Sequence, residues 1–173
     1  MSLTFVLGGA RSGKTAYALR EAQAHADANG GRLVMIATAE ALDEEMAARI
    51  ARHRAEREDA WTTVEAPRAL EDAVRGLMPR DVAVIDCLTL WLSNLMHDEA
   101  EIAERVEGLV AAMDASPADH LILISNEVGQ GIVPDNALAR RFRDEAGWMH
   151  QAISAASDRV IVVQAGLAHV LKG

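Results

Sequence analysis

Leu3-Thr4-Phe5-Val6-Leu7-Gly8-Gly9-Ala10-Arg11-Ser12-Gly13-Lys14-Thr15 runs a short apolar stretch straight into a glycine-rich octet that fits G-x-x-x-x-G-K-[ST]. The apolar run predicts a strand, the octet a tight turn and residues 14–29 a helix, which is the setting this motif's chemistry requires. Glycines let the backbone curl until several amides face one polyanion. The opening of a helix adds positive potential, and Lys14 supplies a mobile cation. Gly8, Gly9, Ala10, Arg11, Ser12, Gly13, Lys14 and Thr15 are therefore the expected triphosphate cradle, with the Thr15 hydroxyl offered to Mg²⁺. The alternative is a glycine-rich turn that only joins a strand to a helix.

Outward from this motif the chain keeps alternating. Residues 33–37, 82–85, 121–125 and 160–163 are further short runs rich in Val, Ile and Leu, as suits strands buried on both faces. Helix-length segments at 43–57, 70–77, 89–96, 102–115 and 137–156 lie between them. This order predicts an α/β fold with a mostly parallel sheet flanked by helices. Asn29-Gly30-Gly31 reads as a helix stop, and Asp43 opens a segment with acids in its first turn. Residues 168–171, after Ala165-Gly166, predict a last short strand turned back antiparallel.

The 173 residues are about one domain long, so residues 1–173 are expected to form one catalytic unit. Half are hydrophobic and a quarter charged, the balance of a globular protein. Seventeen Lys and Arg against twenty-six Asp and Glu leave a net charge of −9, which disfavours a nucleic-acid partner. Cys87 is the only cysteine, excluding an internal disulfide and fitting a reducing cytoplasm, where its thiol fills core. No apolar run approaches the ~20 residues that cross a bilayer, and the opening residues lack a secretory signal.

The run 82–85 ends in Asp86, a carboxylate expected at the strand's C-terminal edge, where it holds Mg²⁺ through water or only caps the next turn. Arg49-Ile50-Ala51-Arg52-His53-Arg54-Ala55-Glu56-Arg57 surrounds one imidazole with four arginines. Helical spacing puts Arg49, His53 and Arg57 along one face. Neighbouring guanidinium charges disfavour a second positive charge, which keeps His53 neutral and nucleophilic while the arginines attract phosphate oxygens. A solvated basic helix face, or an arginine lid over a kinase site, accounts for the same residues.

Taken together, Gly8 to Lys14, the 43–46 acids leading to Arg49-Ile50 and His53-Arg54, Asp86-Cys87-Leu88-Thr89 and Trp91-Leu92-Ser93-Asn94 resemble one known family. So do Ser125-Asn126-Glu127-Val128-Gly129, Gly131-Ile132-Val133-Pro134 and Ala139-Arg140-Arg141-Phe142-Arg143-Asp144. The chain is similar, nearly end to end, to the bifunctional adenosylcobinamide kinase and adenosylcobinamide-phosphate guanylyltransferase family of cobalamin biosynthesis. That resemblance implies a P-loop NTPase-like (RecA-like) fold and phosphorylation of the cobinamide side-chain hydroxyl by ATP or GTP. It further implies transfer of GMP from GTP to the new phosphate through a guanylylated histidine, here His53, with Lys14 as the second catalytic group. The family's nucleotide contacts map onto Gly8 to Thr15, Ala37-Thr38-Ala39, Arg54, Ala55, Glu56, Arg57, Glu65 and Asp86, with Thr15 and Asp86 toward the metal. A homo-oligomer, a trimer with active sites near subunit boundaries, is implied as well.

Glu65 has its own reading: a carboxylate accepts two hydrogen bonds from the N1–H and 2-amino edge of guanine, which adenine does not offer. The alternative is an exposed Glu that precedes a helix after Pro67. Glu127 is expected on the same sheet edge as Asp86, either orienting the substrate or bonding the amides of its own turn. Arg140, Arg141 and Arg143 divide between phosphate contacts and a solvated face. Thr15, Glu58, Gln130, Trp148 and His150 depart from the family's usual residues, and His150 reads as a helix-surface residue.

Overall fold

The computed structural model describes residues 1–40 and 60–173. The expected helix at 43–57 therefore lies outside the described residues. In chain order the elements are β1 (Ser2–Gly8), α1 (Lys14–Asn29), β2 (Arg32–Ala37), β3 (Thr62–Glu65), α2 (Leu70–Arg75) and β4 (Asp81–Asp86). They continue with α3 (Leu88–His97), α4 (Ile102–Asp114), β5 (His120–Asn126), α5 (Ala137–Ala156), β6 (Arg159–Gln164) and β7 (Leu167–Lys172). The strands form one sheet in the order β3-β2-β4-β5-β1-β6-β7. All neighbours are parallel except β6 and β7, so the expected return strand is present.

Side-chain alternation along the strands separates two cores. Phe5, Leu7, Val34, Ile36, Ala83, Ile85, Leu121 and Leu123 face α2, α3, α4 and α5, where Trp91, Leu92, Leu109 and Met149 are buried against them. Val6, Met35, Val84, Ile122, Ile124 and Ile161 face α1. That helix meets the sheet through Ala18, Ala22 and Ala26, four residues apart on one stripe, and small side chains allow close approach. Gly30, with φ of 64°, ends α1 in the left-handed conformation that a glycine adopts without strain.

One strand escaped the sequence reading. Thr62–Glu65 is four residues long, lies at the sheet's edge and is exposed throughout, so it carries no apolar run to announce it. Its β-branched Thr62, Thr63 and Val64 were the available signal. Cys87 is buried, as expected of a core thiol. Among the described residues no helix is long and apolar enough to cross a membrane.

Candidate functional site

Parallel strands deliver their C-terminal ends to one edge, and that edge gathers the expected residues. β1 stops at Gly8 and α1 starts at Lys14, so residues 9–13 form the turn. Gly13, at φ 96°, and Arg11, at φ 55°, take left-handed conformations that fold the turn back over the strand. The Ser12 amide donates to Gly9 O at 3.3 Å, and the Gly166 amide donates to Ser12 O at 2.9 Å, tying the turn to the β6–β7 hairpin. A Cβ at Gly8 would stand 2.5 Å from Val163 O, whereas one at Gly9 would meet open space.

The amides that open α1 have no carbonyl within the helix to reach. Lys14 is buried, and its Nζ donates to Gly9 O at 3.0 Å, holding the ammonium over the turn. Ser12 Oγ is buried with no partner among the described residues. The turn thus brings together uncapped helix amides, an ammonium and a hydroxyl with no partner among the described residues, a donor set that suits a polyphosphate.

Asp86 ends β4, across β5 from the turn. The Cys87 thiol beside it is pushed up by burial and by the Asp86 charge, while the Lys14 charge opposes them, so both charged groups act at the same edge. Thr15 in the first turn of α1 and Asp86 offer a hydroxyl and a carboxylate. These hard oxygen donors match Mg²⁺, which takes few protein ligands and keeps its remaining positions for water and phosphate. Among the described residues no group of three or more His, Cys, Asp or Glu side chains offers a metal cage.

Ala37, Thr38 and Ala39 follow the same edge. Thr38 is fully buried: its amide donates to Asp86 O at 3.2 Å, and its hydroxyl donates to Cys87 O and accepts from the Cys87 amide, each at 2.8 Å. Ala37 is paired in register with Glu65, and the Ala66 amide donates to Ala37 O at 2.8 Å. Asn94 Nδ2 donates to both Thr38 O and Pro67 O at 2.9 Å, stitching the ends of β2 and β3 to α3. Glu65 is an exposed strand-end residue on this edge, five positions before α2 begins. Sequence reading gave Asn94 no role, although it lay inside a quoted family segment.

His53, Arg54, Ala55, Glu56 and Arg57 lie outside the described residues. Glu127 does reach the expected edge, its amide donating to Gly8 O at 3.0 Å, and its carboxylate accepts from the Gly129 amide, the turn role. Arg140 donates to Pro134 O and Asp135 O, while Arg141 and Arg143 pair with Glu145 and Asp144. His150 corrects the expectation of a surface position. It is buried, with Nε2 2.8 Å from Ser125 Oγ and its ring 5.7 Å from that of Phe5. Trp148, two residues earlier, carries the exposed face.

Comparison with known proteins agrees with this fold. Over 93% of its length the chain superposes on 70% of a KaiC-like protein from Pyrococcus horikoshii OT3, with TM-score 0.55 and 17% identity, a likeness of fold. It is 44% identical over 171 residues to the bifunctional adenosylcobalamin biosynthesis protein CobP of Pseudomonas aeruginosa, covering 97% of this chain and 96% of that one. It is 36% identical over 189 residues to the bifunctional adenosylcobalamin biosynthesis protein CobU of Escherichia coli, covering 98% and 99%. Residues 4–171 match the family described as cobinamide kinase / cobinamide phosphate guanyltransferase, and the chain belongs to that family.

Proposed function

We propose that this chain phosphorylates adenosylcobinamide with ATP or GTP and then transfers GMP from GTP to the adenosylcobinamide phosphate. The observation that carries the reading is the phosphate turn at residues 8–15, set on the same sheet edge as Asp86, in a chain that matches its family over nearly its whole length. In the first reaction the substrate hydroxyl oxygen bonds to the γ-phosphorus, the bond to the departing nucleoside diphosphate breaks, and the proton leaves to solvent. Gly8 to Gly13 amides and Lys14 disperse the charge that develops on the transferred group.

In the second reaction the His53 imidazole bonds to the α-phosphorus of GTP as pyrophosphate leaves. A phosphate oxygen of adenosylcobinamide phosphate then displaces the imidazole, giving adenosylcobinamide-GDP. Arg54 to Arg57 meet the phosphates by their positive charge, and Glu65 reads the guanine edge. Thr15 and Asp86 would hold Mg²⁺, which when bound would supply positive charge against the phosphates. The protein works in the cytoplasm, without nucleic acid, as a homo-oligomer, a trimer by family resemblance. Exposed Ile132, Val133 and Leu138 support association with further copies.

The test is incubation with adenosylcobinamide and GTP, with products resolved by mass spectrometry and pyrophosphate assayed in parallel. His53→Ala is expected to keep kinase turnover and lose GMP transfer. Equal loss of both reactions, or of neither, overturns the division of labour. Phosphorylation with no pyrophosphate from the wild type would leave a P-loop small-metabolite kinase.

A further inference from the structure

Asn126 ends β5 beside Gly8, its register partner at the mouth of the phosphate turn. Its Nδ2 donates to Thr89 Oγ1 at 2.9 Å and lies 3.8 Å from Cys87 Sγ. Thr89 and Cys87 are both buried, and their side chains are linked to each other at 3.2 Å. The donor end of the amide is thus turned into the protein, anchored at the start of α3. Because the group is planar, fixing its NH₂ end fixes its oxygen on the opposite side. Asn126 is half-buried, and no donor among the described residues engages its Oδ1.

An acceptor in that place favours a ligand that brings a hydrogen. Phosphate oxygens facing it would be repelled, and the turn already supplies donors for them. The kinase reaction brings one such group to this edge, the acceptor hydroxyl. We propose that Asn126 Oδ1 receives and aims the cobinamide hydroxyl during phosphorylation, and that it has no part in GMP transfer. This assignment rests on the kinase reading of the site.

An amide oxygen is too weak a base to take the proton, so Asn126 orients the nucleophile while the proton passes to solvent. Accepting the O–H hydrogen bond turns an oxygen lone pair toward the γ-phosphorus, the alignment that in-line displacement requires. In the second reaction the attacking group is a phosphate oxygen, which offers Asn126 no hydroxyl hydrogen.

The experiment compares Asn126→Ala with wild type in two assays: adenosylcobinamide with ATP, and preformed adenosylcobinamide phosphate with GTP. The expected result is a fall of about tenfold in kcat/KM for adenosylcobinamide. KM for ATP and the rate of GMP transfer stay within about twofold of wild type, the spread of context effects on a residue that does not take part. Thr89→Val, which removes the amide's anchor, lowers the same constant. Asn126→Asp keeps an outward acceptor and recovers the use of adenosylcobinamide at saturating ATP. Equal losses in both assays would make Asn126 a support for the sheet edge and overturn the assignment. A loss confined to KM for ATP would put the amide on the nucleotide, and unchanged kinetics would remove it from the site. Wild-type protein that phosphorylates no corrinoid overturns the kinase reading itself, a failure visible in the control alone.

Discussion

Ser125 Oγ and His150 Nε2 lie 2.8 Å apart inside the core, joining the C-terminal end of β5 to the middle of α5. Both residues are buried, so the pair replaces hydrogen bonds that each group would make with water. Removing one partner strands the other, and Ser125→Ala is expected to cost about 1 to 2 kcal/mol in urea unfolding. A destabilisation within error of zero would mean that water replaces the hydroxyl.

The same burial holds the His150 imidazole below its ordinary pKa, against an opposing pull from the Glu127 charge. His120 is held down likewise, by burial and by the His25 charge. In the unfolded chain both take up protons near pH 6.5. The unfolded state therefore binds more protons as pH falls through that value, and stability drops from pH 7 toward pH 5, by up to about 1.4 kcal/mol per pH unit for each histidine. His150→Leu should flatten the profile of unfolding free energy against pH. An unchanged slope would show that His150 does not titrate between the two states.

Gly8 and Gly9 should separate cleanly. Gly8→Ala drives a Cβ to 2.5 Å from Val163 O, a backbone atom that cannot rotate away, as well as into Ser12 Oγ. β1 and β6 must part, or the turn must move. The expected result is a loss of triphosphate binding of tenfold or more, on the order of the 1 to 3 kcal/mol that overpacking costs. Gly9→Ala adds a methyl to open space. It is expected to fold normally, so that any loss of binding measures crowding against the ligand.

Glu65 gives a test of base selection. It stands exposed at the end of β3, on the edge shared with Ala37 and Asp86. Glu65→Gln keeps the shape but replaces one acceptor with a donor, which faces the guanine N1–H or 2-amino group badly. Preference for GTP over ATP in nucleotide binding should fall about tenfold. Unaltered discrimination removes Glu65 from the base site.

How much of this was legible in the sequence depended on the kind of signal. The glycine-rich turn between β1 and α1 could be read because its glycines answer backbone demands that local sequence expresses directly: Gly13 needs a positive φ, and Gly8 has no room for a Cβ. The buried strands could be read because burial on both faces enforces continuous apolar runs. β3 could not, since an exposed edge strand of four residues has no such constraint. His150 was misplaced for a related reason. Its burial follows from meeting Ser125 and Phe5, partners twenty-five and more residues away that helical spacing does not reveal. The inward-turned amides of Asn94 and Asn126 are likewise properties of distant carbonyl and hydroxyl partners.

Thr38 offers a last and sharper test, because its hydroxyl both donates to Cys87 O and accepts from the Cys87 amide at 2.8 Å. One oxygen thereby does what a further pair of ladder bonds between β2 and β4 would do, just where those strands deliver Ala37 and Asp86 to the site. Thr38→Val preserves volume and β-branching but leaves the Cys87 N–H buried and unpaired, while the Cys87 C=O still accepts from the Leu90 and Trp91 amides at 3.2 Å. A cost of about 1 to 3 kcal/mol follows from the desolvation of that one group. Thr38→Ser keeps the hydroxyl and should recover most of that loss, leaving only the effect of a missing methyl. Because Asp86 precedes Cys87, the Val variant should also weaken nucleotide turnover when measured under conditions where it remains folded. Equal destabilisation by Ser and Val would assign the role of Thr38 to its methyl packing and not to the hydroxyl bridge.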